Sequence, residues 1–454
     1  MPSSAELQQH AIEIWQAGVA AVHGQRLVEK AIRCDGDRIE IAGQVIDRSQ
    51  FDRILIVGGG KFSHYMAKGV ETALGEELAS QFQLSGMVNV PDGSNEQVTL
   101  EQVEAIECRP AGVNLPTPKV IESTQRMIEL LENCDDRTLV LALISGGGSA
   151  LIEQSSLPLA DVVAATQWLS LRGADIIELN TMRIAMSMVK GGGLARAMSS
   201  GTMIGLIVSD VPGDDIRFVS SGPTVEFEGD IFAAAQAVVA KFALAESGQF
   251  PGSVLEFLSA DQPARAKCHG RIVNALIGNS DLALSAASAK AEELGYEILP
   301  DALSEQTTCD MIAGAVSSWV AELASGPQCS ISLGEPVVEP GEGAGQGGRN
   351  QHAILQTSQT MLELATENEF CFLSAGTDGE DGNTPVAGAL LTRSMLQRLS
   401  LVGKTIEKHL AAFDSHPFLA DHDMLFESGT TATNVADLRV LLRSQTQSVA
   451  VKSV

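Results

Sequence analysis

The sequence predicts an α/β fold. The prediction rests on repeated stretches in which an apolar run reaches a small, hydroxyl-rich or acidic turn and then a helix-patterned segment. The clearest is residues 139–153, Leu-Val-Leu-Ala-Leu-Ile-Ser-Gly-Gly-Gly-Ser-Ala-Leu-Ile-Glu. Residues 53–61, Arg-Ile-Leu-Ile-Val-Gly-Gly-Gly-Lys, repeat the plan, and residues 203–215 end an apolar run in Ser-Asp-Val-Pro-Gly-Asp-Asp. Further strand–turn–helix units follow in the second half, so the pattern spans both halves of the chain. In open α/β folds ligands lie outside the carboxyl ends of the strands. Turns of this composition at those ends point to a phosphorylated ligand held by backbone donors.

Composition narrows the class. A length of 454 residues sets a prior of two or three domains. Hydrophobic residues make up 44% and charged residues 19%, enough apolar side chain for large cores. Asp+Glu number 57 against 30 Lys+Arg, and a net charge of −27 makes non-specific nucleic-acid binding a poor expectation. The 7 cysteines form no C-x-x-C pair, which suits reduced cytosolic thiols and suggests neither a disulfide framework nor a zinc site. No signal peptide and no membrane span are expected, so the reading is cytoplasmic.

Residues 5–30 carry apolar side chains at helical spacing, one or two amphipathic helices, and residues 38–46 alternate like a hairpin. Lys61 closes the 53–61 unit, where strand gives way to helix. It suits contact with a phosphate or carboxylate. A solvated lysine beside a turn is the weightier reading of that segment alone. The Walker A spacing would need glycine at 55 and Ser or Thr at 62, where the chain has Leu55 and Phe62. In the central stretch, Ser145, Gly146, Gly147, Gly148 and Ser149 are expected to bring backbone N–H groups and serine hydroxyls to an anion at a helix start.

A helix is expected over 157–171. Asn180, Arg183, Ser187 and Lys190 then fall on one face of a predicted helix that Gly191-Gly192-Gly193 ends. That face is either a cationic wall of a ligand cleft or a solvated stripe. Asp210 and its neighbours follow a strand, where a metal or a general base would be held. The pattern lapses over 245–270, which sets an expected boundary between domains 1–262 and 263–454. Beyond it come a strand at 271–277 ending in Gly278-Asn279, helices at 282–294 and 307–323, and strands at 297–299 and 328–333. Glycines at 343, 345 and 348 match a dinucleotide-loop spacing weakly, ahead of a helix from 351 to 364. Arg349 and Asn350 sit at its start, and a guanidinium fork there suits phosphate or carboxylate. Thr377 and Asp378 follow the strand 370–375 in an acidic glycine turn that lacks calcium-loop spacing.

Taken together these motifs resemble the glycerate 2-kinases with a C-terminal MOFRL domain, some of which are labelled hydroxypyruvate reductases. The matching pieces are Gly-Lys at 60–61, Leu-Ile-Ser-Gly-Gly-Gly-Ser-Ala-Leu at 143–151, Lys-Gly-Gly at 190–192, Ser-Asp-Val-Pro-Gly-Asp-Asp at 209–215 and Ser-Gly-Pro-Thr at 221–224. Gly-Gly-Arg-Asn-Gln at 347–351, Ala-Gly-Thr-Asp-Gly-Glu-Asp-Gly at 375–382 and Thr-Asn-Val-Ala-Asp-Leu at 433–438 complete the set. The resemblance implies ATP- and Mg²⁺-dependent transfer of a phosphoryl group to the 2-hydroxyl of D-glycerate. It also implies a Rossmann-like α/β/α first domain with a mostly parallel sheet, a smaller α/β second domain and an active-site cleft between them. Carried over by position, Lys61 and Arg349 are the catalytic cationic pair, and Asp210 and Asp378 hold Mg²⁺ or activate a hydroxyl. Ser145, Gly146, Gly147, Gly148, Ser149, Arg183, Lys190, Gly191, Asn279, Glu335, Asn350 and Thr377 are the expected nucleotide- and substrate-binding residues. The implied partners are ATP and a small sugar acid, with neither nucleic acid nor membrane, and a homodimer is compatible.

The chain departs from the family pattern at Val113 and Asn114, where a His-Pro pair is usual, and at Gly193, where Arg is usual. A kinase of a related sugar acid, or a non-catalytic ligand-binding paralogue, fits the same scaffold. An NAD(P)-dependent hydroxypyruvate reductase is the third alternative. Its support is the glycine spacing, with Glu367 or Glu369 at the distance of a ribose-binding acid.

Overall fold

The computed structural model describes residues 2–36, 38–262, 265–303, 308–338, 343–362, 366, 368–400 and 405–445. The expected Gly341 and Glu342 of the glycine loop, Thr307, Leu364 and Glu367 lie outside the described residues. The chain divides into two compact units, Gly24–Asn279 and Met1–His23 joined with Ser280–Val454. This differs from the contiguous halves expected from the sequence at two places, each with a packing reason given below.

In the larger unit a six-stranded sheet runs, edge to edge, Val103–Arg109, Ser85–Pro91, Arg53–Gly59, Thr138–Ile144, Thr202–Val208 and Arg271–Gly278. All neighbours are parallel. Numbered along the chain within this sheet, the order is 3-2-1-4-5-6, the doubly wound Rossmann arrangement. Thr138–Ile144 is central and buried at every residue, which is why it reads as an unbroken apolar run and not as an alternating one. Arg271–Gly278 pairs in register with Thr202–Val208, so the unit ends after this strand and not before it. The edge strand Val103–Arg109 was not expected. It carries Glu104 and Glu107 and is only partly buried.

Helices Leu159–Ser170, Ile176–Met186, Ile231–Lys241 and Gly252–Ser259 pack on a small apolar core of their own around Leu169, Ala185 and Val238. The expected hairpin is part of a three-stranded antiparallel sheet, Ile32–Asp35, Arg38–Ile41 and Gln44–Asp47.

The smaller unit holds a mixed six-stranded sheet, ordered Glu297–Ile298, Gln328–Leu333, Asp437–Gln445, Asn368–Gly376, Gly388–Thr392 and Leu425–Phe426. Its first pair is parallel and the others antiparallel. The chain's first helix, Ser4–Ala21, belongs here. Ser3 and Glu6 close its start as a reciprocal capping box. Its apolar stripe of Leu7, Ala11, Ile14 and Trp15 is buried in this unit's core. Trp15 meets Phe426 edge to face at 5.0 Å between ring centroids. A start of chain that packs with the end of chain is the second reason for the altered boundary.

Candidate active site

The Rossmann order reverses between Arg53–Gly59 and Thr138–Ile144, and the loops that leave these two strands meet there. The Lys61 amide donates to the Gly146 carbonyl at 2.9 Å. Gly60 lies against Ser145, where a side chain would collide with the serine hydroxyl, and its φ of +157° leaves the position to glycine. Lys61 is half-buried, its stem passing over Gly147. The ends of the strands leading to Asp210 and Asn279 lie on the same carboxyl edge. This is the position at which open α/β sheets bind ligands.

Several expectations for this unit change. No helix starts at the central glycines: Gly148–Ala150 makes one 3-10 turn. Whatever the loop binds would be held by loop amides, without a helix dipole. Ser145 is wholly buried; its hydroxyl lies 3.2 Å from that of Ser63, and its carbonyl accepts from Ser220. It braces the loop, and Ser149 lines a pocket.

The helix carrying Asn180 and Arg183 stops at Met186, because Ser187 turns to extended backbone and its hydroxyl accepts from the amides of Val189 and Lys190. Lys190 is therefore not on that helix. The glycines do not end it either, since Gly193 opens the next short helix, Gly193–Arg196. The Gly191 amide is taken by the Ser221 carbonyl at 3.0 Å. Asn279 donates to Asp214 at 2.6 Å.

Lys190 and Arg183 nevertheless meet at one pocket that is partly open to solvent. Asn114, Pro116, Ser149 and Glu153 line it with them. Lys190 and Glu153 form a buried ion pair through Nζ and Oε2. Burial presses the Lys190 ammonium below its ordinary range and the charge of Glu153 opposes this. Arg183 is lowered by burial and raised by the same carboxylate. Glu153 was not among the expected site residues. Its signal is a carboxylate placed directly after the wholly buried Leu151 and Ile152.

In the smaller unit Arg349 is the first residue of the helix Arg349–Met361. Its guanidinium grips Asp437 with Nε and Nη2 and donates Nη1 to Glu335 at 2.8 Å. Burial works against its charge, but these two carboxylates outweigh burial and raise its pKa. The helix N-terminus is already filled. Asp381 accepts from the Asn350 amide at 3.1 Å and the Gln351 amide at 2.8 Å. Burial raises the Asp381 carboxyl, and these hydrogen bonds oppose it.

Asn350 is fully buried, held by Asp381 and by the Ser374 hydroxyl. Thr377 is buried too, donating to the Ala436 carbonyl and accepting from the Val435 amide. Both side chains brace the fold through these internal hydrogen bonds. Asp378 is half-buried and accepts from the Glu380 amide. Among the described residues no group of three or more His, Cys, Asp or Glu could hold a metal ion. Single carboxylates suit a Mg²⁺ ion whose remaining ligands are phosphate oxygens and water.

A Rossmann-order sheet with a lysine and a glycine loop at its switch point, together with a smaller α/β unit, defines a two-unit α/β protein of the kind that binds phosphorylated ligands. Residues 10–259 match the family model described as a domain of unknown function, DUF4147, and residues 328–437 match the MOFRL family. The glycerate kinase of Danio rerio is 30% identical, over 96% of this chain and 97% of its own. That of Homo sapiens is also 30% identical, over 97% and 94%. A crystal structure of glycerate kinase from Thermotoga maritima superposes with a TM-score of 0.77 at 28% identity, covering 96% of this chain and 99% of that one. The chain belongs to the glycerate kinase family.

Proposed function

We propose that this protein transfers the γ-phosphoryl group of ATP to the 2-hydroxyl of D-glycerate, giving 2-phosphoglycerate and ADP. The observation that carries the reading is the meeting of Lys61 with the 145–149 loop at the switch point of the sheet. The loop amides cradle phosphate and Lys61 neutralises charge on the transferring group. Arg349 serves the same reaction as a second cation. Asp210 and Asp378 would be the residues to hold Mg²⁺, which would supply charge neutralisation when bound. Phosphoryl transfer depends chiefly on positioning and charge, so a strong general base is not required.

The glycine spacing at 343–348 gives the reductase reading little support. The helix that follows has its N-terminal amides occupied by Asp381, where a dinucleotide would place its pyrophosphate. Glu369 is engaged with Ser4 and Arg393, so its carboxylate already has partners. A related sugar acid remains the second substrate reading, on Val113, Asn114 and Gly193. All 7 cysteines are free thiols, in keeping with the cytoplasmic assignment we favour. No described helix is long and apolar enough to cross a membrane. The test pairs two assays on one preparation: ADP release with ATP, Mg²⁺ and D-glycerate, and NADH oxidation with hydroxypyruvate. Turnover in the first and none in the second is expected. The reverse result discards the kinase.

A further inference from the structure

The turn that carries Ser220 and Ser221 has no part in the reaction as described so far, and it is strained. Both serines hold left-handed backbone, at φ of +52° and +61°. Residues with side chains keep that conformation only where their surroundings enforce it, and such strain gathers at functional sites. Here the enforcing contacts run to the 145–149 loop. Ser220 donates to the Ser145 carbonyl at 2.8 Å, and Gly148 lies so close that a side chain there would collide with the Ser220 hydroxyl. The Ser221 hydroxyl stands 2.9 Å from that of Ser149 and 2.6 Å from Asn180 Oδ1.

The protons along Asn180, Ser221 and Ser149 have one consistent order. Asn180 Nδ2 donates to the Ile176 carbonyl at 3.0 Å, one helical turn back. Turning the amide over would set two carbonyl oxygens against each other, so Oδ1 faces Ser221 and can only accept. Ser221 therefore gives its one proton to Asn180. The contact between the two hydroxyls then takes the proton of Ser149, which is left with lone pairs alone for the pocket it lines. Asn180 is 1% exposed and Ser221 wholly buried, so water does not compete for this order, whereas Ser149 is partly exposed.

We propose that Asn180 is a positioning residue which, acting through Ser221, makes Ser149 a hydrogen-bond acceptor only. At this point the pocket takes a donor from its ligand and turns away an oxygen that can only accept, such as one of phosphate. Ser149 is thus not the phosphate donor that its place in the glycine loop suggests, and phosphate is left to the loop amides. The inference deepens the kinase reading, on which the choice of D-glycerate as a probe rests. The proton order itself does not depend on that reading.

Two measurements on the full chain test this. Neutron diffraction from deuterium-exchanged wild-type crystals reads the order directly and needs no variant to fold. The deuteron between the two hydroxyls is expected on Ser149, and that of Ser221 on the line to Asn180. A Ser149 deuteron turned toward the pocket would overturn the proposal. Isothermal titration with D-glycerate and with sulfate, which has no O–H, reads the consequence. In Asn180→Leu, Ser221 has only Ser149 to donate to, and the Ser149 proton turns to the pocket. Sulfate should then bind about fivefold tighter and D-glycerate about fivefold weaker, the scale of one hydrogen bond. A loss of packing alone would weaken both. Ser221→Ala should move the two affinities in the same directions. Adding Asn180→Leu to it should change neither by more than about twofold, because Asn180 acts only through Ser221. Sulfate affinity unchanged or lowered in both single variants would overturn the proposal, and so would additive effects in the double variant. If the proton order and the opposite shifts are found but wild-type protein transfers no phosphoryl group, the kinase reading fails and the positioning role stands.

Discussion

Arg349 and Asp437 share two parallel hydrogen bonds, Nε to Oδ2 at 2.5 Å and Nη2 to Oδ1 at 3.0 Å. The pair joins the start of one helix to the start of the last strand, 88 residues away. Asp437 is 2% exposed, and burial pushes its carboxyl up to about 6 while Arg349 pulls it down. If Asp437 aims Arg349, then protonating it releases the guanidinium. The logarithm of kcat/KM should fall as pH drops through about 6. Asp437→Asn should abolish that limb and lower activity at pH above it. Stability runs the other way. The folded form takes up this proton more readily than the unfolded chain, so this group's contribution rises as pH falls below about 6. A pH–rate profile beside urea unfolding curves checks both signs.

The Lys190–Glu153 pair predicts a difference between single and double substitution. Lys190→Met strands a carboxylate in the interior and should cost about 3–5 kcal/mol, as broken buried pairs do. Adding Glu153→Leu should recover most of that loss, because two apolar groups leave no charge unpaired. Urea unfolding of the three proteins measures it.

His64, one turn beyond Lys61, is 1% exposed and bonded to Gln97 at 3.1 Å. Burial lowers its pKa to about 4, opposed by Gln97 and Glu107. The unfolded chain therefore binds this proton first as pH falls. Stability is lost between about pH 6.5 and 4, by about 3 kcal/mol at most from this group. Wild type minus His64→Gln, followed across that range, should shrink with acidity. A pH-independent difference would contradict the assignment.

Trp15 anchors the first helix in the smaller unit, 1% exposed and against Phe426. Trp15→Ala should destabilise that unit by about 3–5 kcal/mol. Hydrogen exchange should register the loss in the strands Asn368–Gly376 and Asp437–Gln445, and much less in Thr138–Ile144. Equal loss everywhere would mean that the two units unfold as one.

What could be read without coordinates was what lies in local pattern. Thr138–Ile144 announces a central parallel strand because both its faces are buried. Val103–Arg109 hides because an edge strand can carry glutamates. Arg183 and Lys190 line one pocket, but not from the single helix face expected, since Ser187 turns its hydroxyl onto the following amides and ends that helix. Arg349 was picked out by its place after the glycines. Its partner Asp437, and Asp381 that accepts from the next two amides of the same helix, are brought in from distant segments by strand pairing and a turn, which no spacing rule encodes. Helix Ser4–Ala21 looked amphipathic, but nothing local says which core its stripe enters.

The central claim is that Lys61 and Arg349 serve phosphoryl transfer to glycerate. Phosphorus NMR of ATP, Mg²⁺ and D-glycerate with the wild-type chain, Lys61→Ala and Arg349→Ala tests it most directly. A growing 2-phosphoglycerate resonance with wild type, reduced at least a hundredfold in each variant whose fold is intact, is the predicted result. No phosphoglycerate from wild type, or full activity in folded Lys61→Ala, would contradict it.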